Sequence, residues 1–197
     1  MLRFTSLTSH VVPLAVDDVN TDQIIPARFL TATGKAGFGE RLFADWRYLP
    51  DGSPDPDFIL NRPEVQGARI LLAGDNFGCG SSREHAAWAL TGWGLRALIA
   101  TSFADIFRIN ALKNSLLPVQ VERGALAQLL NMVRADPCSR VTIDLASQTL
   151  SLPDGSGLTF PIDAFSKRCL LTGIDELDYL LSIEDRILGY EVAHPYV

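Results

Sequence analysis

A chain of 197 residues, 47% apolar and 20% charged, is long enough to bury one good core and too ordinary in composition to be disordered or fibrous. Its formal net charge of -6, with 17 Lys and Arg scattered rather than gathered into a stripe, argues against nucleic acid as a partner. The longest apolar runs, such as 70–73 and 95–101, fall far short of the roughly 20 residues that span a bilayer, so no membrane segment is expected.

The N-terminal Met1-Leu2-Arg3-Phe4-Thr5-Ser6 carries no charged leader followed by an apolar stretch, which leads us to expect a cytoplasmic protein. The first third reads as irregular. An apolar stretch over 11–16 gives way to Asp17-Asp18-Val19-Asn20-Thr21-Asp22, whose acidic and turn-forming residues read as a loop, and then to Ile24-Ile25-Pro26. A short helix is expected over 39–46, where Leu42, Phe43 and Trp46 fall on one face, followed by a turn-rich surface loop over 50–56.

From Ala68 the pattern becomes α/β: a buried strand over 69–73, a glycine-rich loop over 74–80, a helix over 82–93 and a strand over 95–101. A helix over 104–113, a strand over 117–121 and a helix over 125–134 follow. Two antiparallel strands over 141–145 and 149–152, a turn at Pro153-Asp154-Gly155 and a strand over 158–160 lead to a helical C-terminal part with candidate caps Asp163, Asp175 and Ser182. The expected architecture is one α/β domain over 1–197, a parallel core sheet with an antiparallel addition and flanking helices. Cys79, Cys138 and Cys169 lie far apart, neither a disulfide framework nor the CxxC spacing of a metal site, and read as free thiols.

The chemistry concentrates in the loop from Gly74 to Ala86. It joins an apolar strand to a helix, so its last residues present unpaired backbone N–H groups and the positive end of a helix dipole, a place that suits an anion. Gly78 and Gly80 allow backbone conformations and a close ligand approach that a Cβ would block. A dinucleotide fingerprint would need a small residue where Arg83 stands, a P-loop would need Gly-Lys-Ser/Thr, and a serine-hydrolase elbow would need G-x-S-x-G; none fits. A plain helix cap explains Ser82 but not Arg83, whose planar guanidinium beside an anion site suits two-point recognition of a carboxylate.

The run Asn76-Phe77-Gly78-Cys79-Gly80-Ser81-Ser82-Arg83-Glu84-His85-Ala86 resembles the swivelling-domain signature of the aconitase superfamily, and Asn20-Thr21-Asp22-Gln23-Ile24-Ile25-Pro26 resembles its second signature. The residues from Gly37 to Arg47 and Ser102-Phe103-Ala104-Asp105-Ile106-Phe107 are similar to the small subunits of bacterial isopropylmalate isomerases in particular.

The resemblance implies a swivelling β/β/α domain and a hydro-lyase of leucine biosynthesis that interconverts 2-isopropylmalate and 3-isopropylmalate by dehydration and rehydration. That reaction needs a base for a weakly acidic C–H, a clamp for the neighbouring carboxylate and a Lewis acid for the leaving hydroxyl. By carry-over, Ser81 is the base, Arg83 with Ser82 clamps a substrate carboxylate, and Asp22 pairs with a catalytic histidine from the other part of the enzyme; Asp22 also suits a turn that bonds its own backbone. Asn76, Gly78, Gly80, Glu84 and His85 support the loop, the last two by hydrogen bonds. Cys79 stands alone, whereas iron-sulfur clusters are held by several thiolates. The resemblance therefore implies no metal in this chain and a four-iron four-sulfur cluster in a separate large subunit, with the active site between the two and a hydroxy-dicarboxylate as substrate.

The segment 27–38 is expected to face the substrate's variable side group, with Phe29 and Leu30 as apolar wall and Arg28 leaving a further carboxylate open. Related hydro-lyase small subunits, of homoaconitase, citraconate hydratase or dimethylmalate dehydratase, are the nearest alternatives. A non-catalytic dicarboxylate-binding module is the alternative from another class.

Overall fold

The computed structural model describes residues 1–31 and 34–195. Its strands are β1 (Ser6–Pro13), β2 (Ile70–Leu72), β3 (Ala97–Ala100), β4 (Leu117–Gln120), β5 (Arg140–Asp144), β6 (Thr149–Ser151) and β7 (Gly157–Thr159), and they form one sheet in the order β4-β3-β2-β1-β5-β6-β7. The first four strands run parallel, and β5, β6 and β7 continue the sheet antiparallel; a parallel core with an antiparallel addition is as the sequence pattern leads one to expect, apart from β1. Strands β2 and β3 are apolar and buried at every position because helices cover both faces, whereas β5 buries only Val141 and Ile143.

The helices are α1 (Thr21–Ile24), α2 (Ala44–Arg47), α3 (Glu84–Trp93), α4 (Asp105–Lys113), α5 (Arg123–Ala135), α6 (Ala164–Thr172), α7 (Glu176–Leu181) and α8 (Glu184–Ala193). On one face of the sheet, Ala86, Ala89 and Leu90 of α3 and Phe107 and Ala111 of α4 pack with Val12, Leu71 and Leu98. On the other, Leu126, Leu129 and Val133 of α5 and Leu170 of α6 pack with Val11, Ile70 and Ile99. No described helix is long and apolar enough to cross a membrane.

Three details depart from the expected pattern. The first third contains β1, which joins the two halves of the sheet: its first part pairs antiparallel with β5 (Leu7 with Ile143), its last part parallel with β2 (Val11 with Ile70). A polar residue at a core position hides its alternation, since Ser9 is buried with its hydroxyl accepting from Arg69 N–H and donating to the His10 carbonyl. The helix expected over 39–46 is a 3-10 turn (Gly39–Arg41) and α2, separated by Phe43 in a left-handed conformation with φ 51°. Asp163 and Asp175 cap α6 and α7 as expected, but Ser182 ends α7 rather than starting α8.

Candidate active site

Strands β1, β2 and β3 are parallel, so the segments that leave their carboxyl ends emerge on one edge of the sheet, where α/β folds commonly place ligands. Backbone hydrogen bonds tie these segments together. Gly78 N–H donates to the Val19 carbonyl (2.7 Å) and Thr21 N–H to the Cys79 carbonyl (2.9 Å), joining the first segment to the glycine-rich loop. Phe77 N–H donates to the Ser102 carbonyl (3.1 Å) and Ala104 N–H to the Phe77 carbonyl (3.0 Å), joining that loop to the entry of α4.

Between them lies a cleft of about 260 Å³, lined by Thr21, Gly78, Gly80, Ser81, Ser82, Arg83 and residues 104–107. Ser81 and Ser82 are exposed, and the Ser81 hydroxyl has no hydrogen-bond partner among the described residues, so it is free to meet a ligand. The Ser81 carbonyl is held from behind by the hydroxyl of buried Thr21 (2.7 Å). Arg83 reaches over α1 to form an ion pair with Asp22; the Arg83 side chain is 16% exposed and that of Asp22 is 52% exposed. Asp22 stands in the first turn of α1, which Asn20 and Gln23 fix through a capping box, so its place beside Arg83 follows from local sequence.

The supporting residues act by several means. Gly78 has φ 79°, and a Cβ there would overlap the buried Phe107 ring. At Gly80 a Cβ would meet Asn20 only at ordinary contact distance, so its φ of 86°, not the space, is what requires glycine. Asn76 donates from Nδ2 to Asp18 (2.8 Å) and from its N–H to Ser102 Oγ (2.8 Å). Glu84 accepts from Asn114 (2.9 Å), which joins α3 to the end of α4, and from Trp88 (3.1 Å) one turn on in α3 itself; neither bond goes to the loop. The Asn114 hydrogen bond, followed by that of Trp88 and the charges of Lys35 and His85, holds the Glu84 carboxyl below the usual carboxylate range against a smaller opposing effect of burial. His85 works by packing, its ring 4.5 Å from Trp88 and 5.4 Å from Phe38.

Helix α3 starts at Glu84, two residues later than the sequence pattern suggests, with Arg83 as its N-cap, so Ser82 as well as Ser81 precedes the helix. None of the described residues of 27–38 lines the cleft; Arg28 and Phe29 border a separate groove of about 660 Å³, and Ala32 and Thr33 lie outside the described residues. The wall that sequence reasoning did not assign comes from Asp105, Ile106 and Phe107. Their segment stood out by resemblance, but only the parallel pairing of β2 with β3 and the Phe77–Phe103 bridge bring it to Ser81.

Among the described residues, no three of His, Cys, Asp and Glu gather to hold a metal ion. Cys79 is the only cysteine in the motif, and its thiol donates to the Asp18 carbonyl (3.3 Å), while Cys138 and Cys169 lie elsewhere. The chain's own residues therefore do not fit an iron-sulfur cluster.

A family model described as Aconitase C-terminal domain matches residues 1–124, and one described as LeuD_N matches 127–164. The 3-isopropylmalate dehydratase small subunit of Roseiflexus sp. (strain RS-1) is 58% identical over 99% of this chain and 96% of that protein. Its counterpart from Chloroflexus aggregans is 59% identical over the same shares. A crystal structure of 3-isopropylmalate dehydratase from Methanocaldococcus jannaschii superposes with a TM-score of 0.65 and 26% identity, covering 94% of this chain and 99% of that one.

Proposed function

Because the chain belongs to the family of 3-isopropylmalate dehydratase small subunits, we propose that it works as the small subunit of that hydro-lyase, a single swivelling domain over 1–197 active only with a large subunit. The enzyme interconverts 2-isopropylmalate and 3-isopropylmalate in leucine biosynthesis, and we place it in the cytoplasm. The observation that carries this reading is the meeting of Ser81, Ser82 and Arg83 in one open cleft at the carboxyl edge of the parallel strands.

Arg83 binds a substrate carboxylate through two N–H groups and holds it while negative charge builds on the adjacent carbon. Ser81, as its alkoxide, takes the C–H proton beside that carboxylate and becomes the neutral hydroxyl, while the C–O bond on the neighbouring carbon breaks and the departing hydroxide takes a proton from an acid of the large subunit to leave as water. On rehydration the proton is returned. Asp22 is poised to orient Arg83 and, being half exposed, to meet a histidine of the large subunit. That subunit carries the four-iron four-sulfur cluster in this reading, because the cysteines here do not assemble a site for one.

The test reconstitutes the enzyme with a cluster-loaded large subunit. Ser81→Ala should lower turnover by about 10²–10⁴-fold, the usual contribution of a positioned base, with assembly intact. Arg83→Lys should lower kcat/KM by about 10–100-fold, because an ammonium lacks the fork that makes two parallel bonds to a carboxylate. Near-normal rates in both variants, or dehydratase activity from the isolated chain, would remove the proposal.

A further inference from the structure

Helices α7 and α8 bury none of their residues, yet they are rich in large apolar side chains. Leu177, Leu180 and Leu181 are 63%, 50% and 59% exposed, and Leu188, Tyr190 and Val192 are exposed as well. The spacing of the three α7 leucines puts them on one helical face. Helices this short are marginal in water without a packed face, so exposed leucines at this density point to a surface that is covered when the protein works.

The surface continues into the catalytic cleft. A groove of about 540 Å³ runs between α4, α6 and α7, lined among others by Ile109, Leu112, Phe165 and Leu177. Lys113 of α4 spans it to Glu176 of α7 at 3.4 Å. Ile106, one turn before Ile109 on α4, lines the cleft beside Ser81 and Arg83 and is 52% exposed. One apolar band therefore leads from the reacting groups, along α4, to α7.

We propose that this band of α4, α6 and α7 is the docking surface for the large subunit, an inference that rests on the functional reading above. Continuity with the cleft selects the occupant. The large subunit has to sit over the cleft mouth to complete the active site, and a body seated there meets Ile106 and Ile109 next. A second copy of this chain on the same band would block that mouth. The charges along the groove are mixed, Arg108 and Lys113 against Asp163, Asp175 and Glu176, with Lys113 and Glu176 already paired, so the matching face of the partner is chiefly apolar with charges of both signs at its rim.

The experiment measures binding of the full chain to the purified large subunit from the same organism by titration calorimetry, with the free chain followed by sedimentation. Leu177→Asp combined with Leu181→Asp should weaken the complex by roughly 100-fold, since burying each leucine would otherwise be favourable. The fold should be untouched, both residues being exposed, and Leu49→Asp, on the separate groove, should bind as the unaltered chain does. Equal affinity of the double variant and the unaltered chain, or an equal loss in Leu49→Asp, overturns the surface alone. A free chain that self-associates through α7, with large-subunit affinity unchanged in the double variant, overturns it in favour of a second copy. Failure of the unaltered chain to bind any large subunit overturns the functional reading and this surface with it.

Discussion

Gly78→Ala is the sharpest test of how the cleft is built. The position has φ 79°, where an L residue is strained, and an added methyl would overlap Cγ of Phe107 and lie 2.6 Å from its Cβ and Cδ1. Phe107 is 2% exposed and wedged edge-on against Phe77 at 5.3 Å, so its ring has nowhere to retreat. The left-handed backbone costs about 1–2 kcal/mol and the overpacking about 1–3, a loss of about 2–5 kcal/mol from a domain whose whole stability is of order 5–15. Gly155→Ala is the control, with φ 83° but nothing within 4 Å of its Cβ, so it bears the backbone cost alone. Urea unfolding of both variants, with equal slopes, should therefore show Gly78→Ala the less stable by about 1–3 kcal/mol. Molecules of Gly78→Ala that do fold should also lose turnover with the large subunit, because Phe107 and Ser81 share the cleft. Equal midpoints for the two variants would refute the steric argument and leave only the backbone conformation.

Thr21→Val removes the hydroxyl that donates to the Ser81 carbonyl while keeping the side chain's shape; unfolding should show a loss of about 1 kcal/mol, and the drop in kcat of the reconstituted enzyme should exceed that in stability if this bond sets where Ser81 points. Glu84 has a carboxyl pKa depressed below its ordinary 4.5, first by the Asn114 hydrogen bond, so the unfolded chain binds its proton more readily than the folded one. The resulting stability is present in full above the unfolded pKa and is lost as pH falls through the folded one. Urea midpoints followed from pH 7 down to acid should accordingly fall less steeply below about pH 4.5 in Glu84→Gln than in the unaltered chain; parallel curves would mean that the carboxylate contributes nothing.

Much of the parallel core was legible because its strands are continuous apolar runs bounded by turn residues: Ile70, Leu71 and Leu72, then Ala97 to Ala100, announce themselves without help from distant chain. Strand β1 was not, because Ser9 occupies a core position through hydrogen bonds to Arg69 and His10 that no local pattern reveals. The break at Phe43 escaped for a related reason, since its left-handed backbone is tolerated where the ring is buried and stacked on Trp46, a compensation that exists only in the folded chain. In the site, the Ser81-Ser82-Arg83 run was visible as chemistry in search of an anion. The α4 wall was not, because Ile106 reaches Ser81 only through strand pairing, across 25 residues of sequence.

Under the proposed function, the ion pair between Arg83 and Asp22 gives the division of labour between two polypeptides a physical form. An arginine whose side chain is only 16% exposed would be costly to hold with no counter-charge, and Asp22 supplies one from a helix whose backbone is bonded to the same loop. Arg83 carries more N–H groups than one carboxylate oxygen can use, so the pairing orients the fork and leaves donors for the substrate carboxylate proposed to bind there. In the proposed reaction Asp22, engaged with Arg83, is not the group assigned as base; that task goes to Ser81, whose hydroxyl has no hydrogen-bond partner among the described residues. The backbone bonds from Gly78, Thr21, Phe77 and Ala104 fasten the loop carrying Ser81 and Arg83, the segment carrying Asp22 and the entry of α4 together. If α4 docks on a large subunit as proposed, a contact that orients α4 orients Ser81 and Arg83 with it, and the chain would bring its proposed half of the chemistry to the partner by moving as a whole.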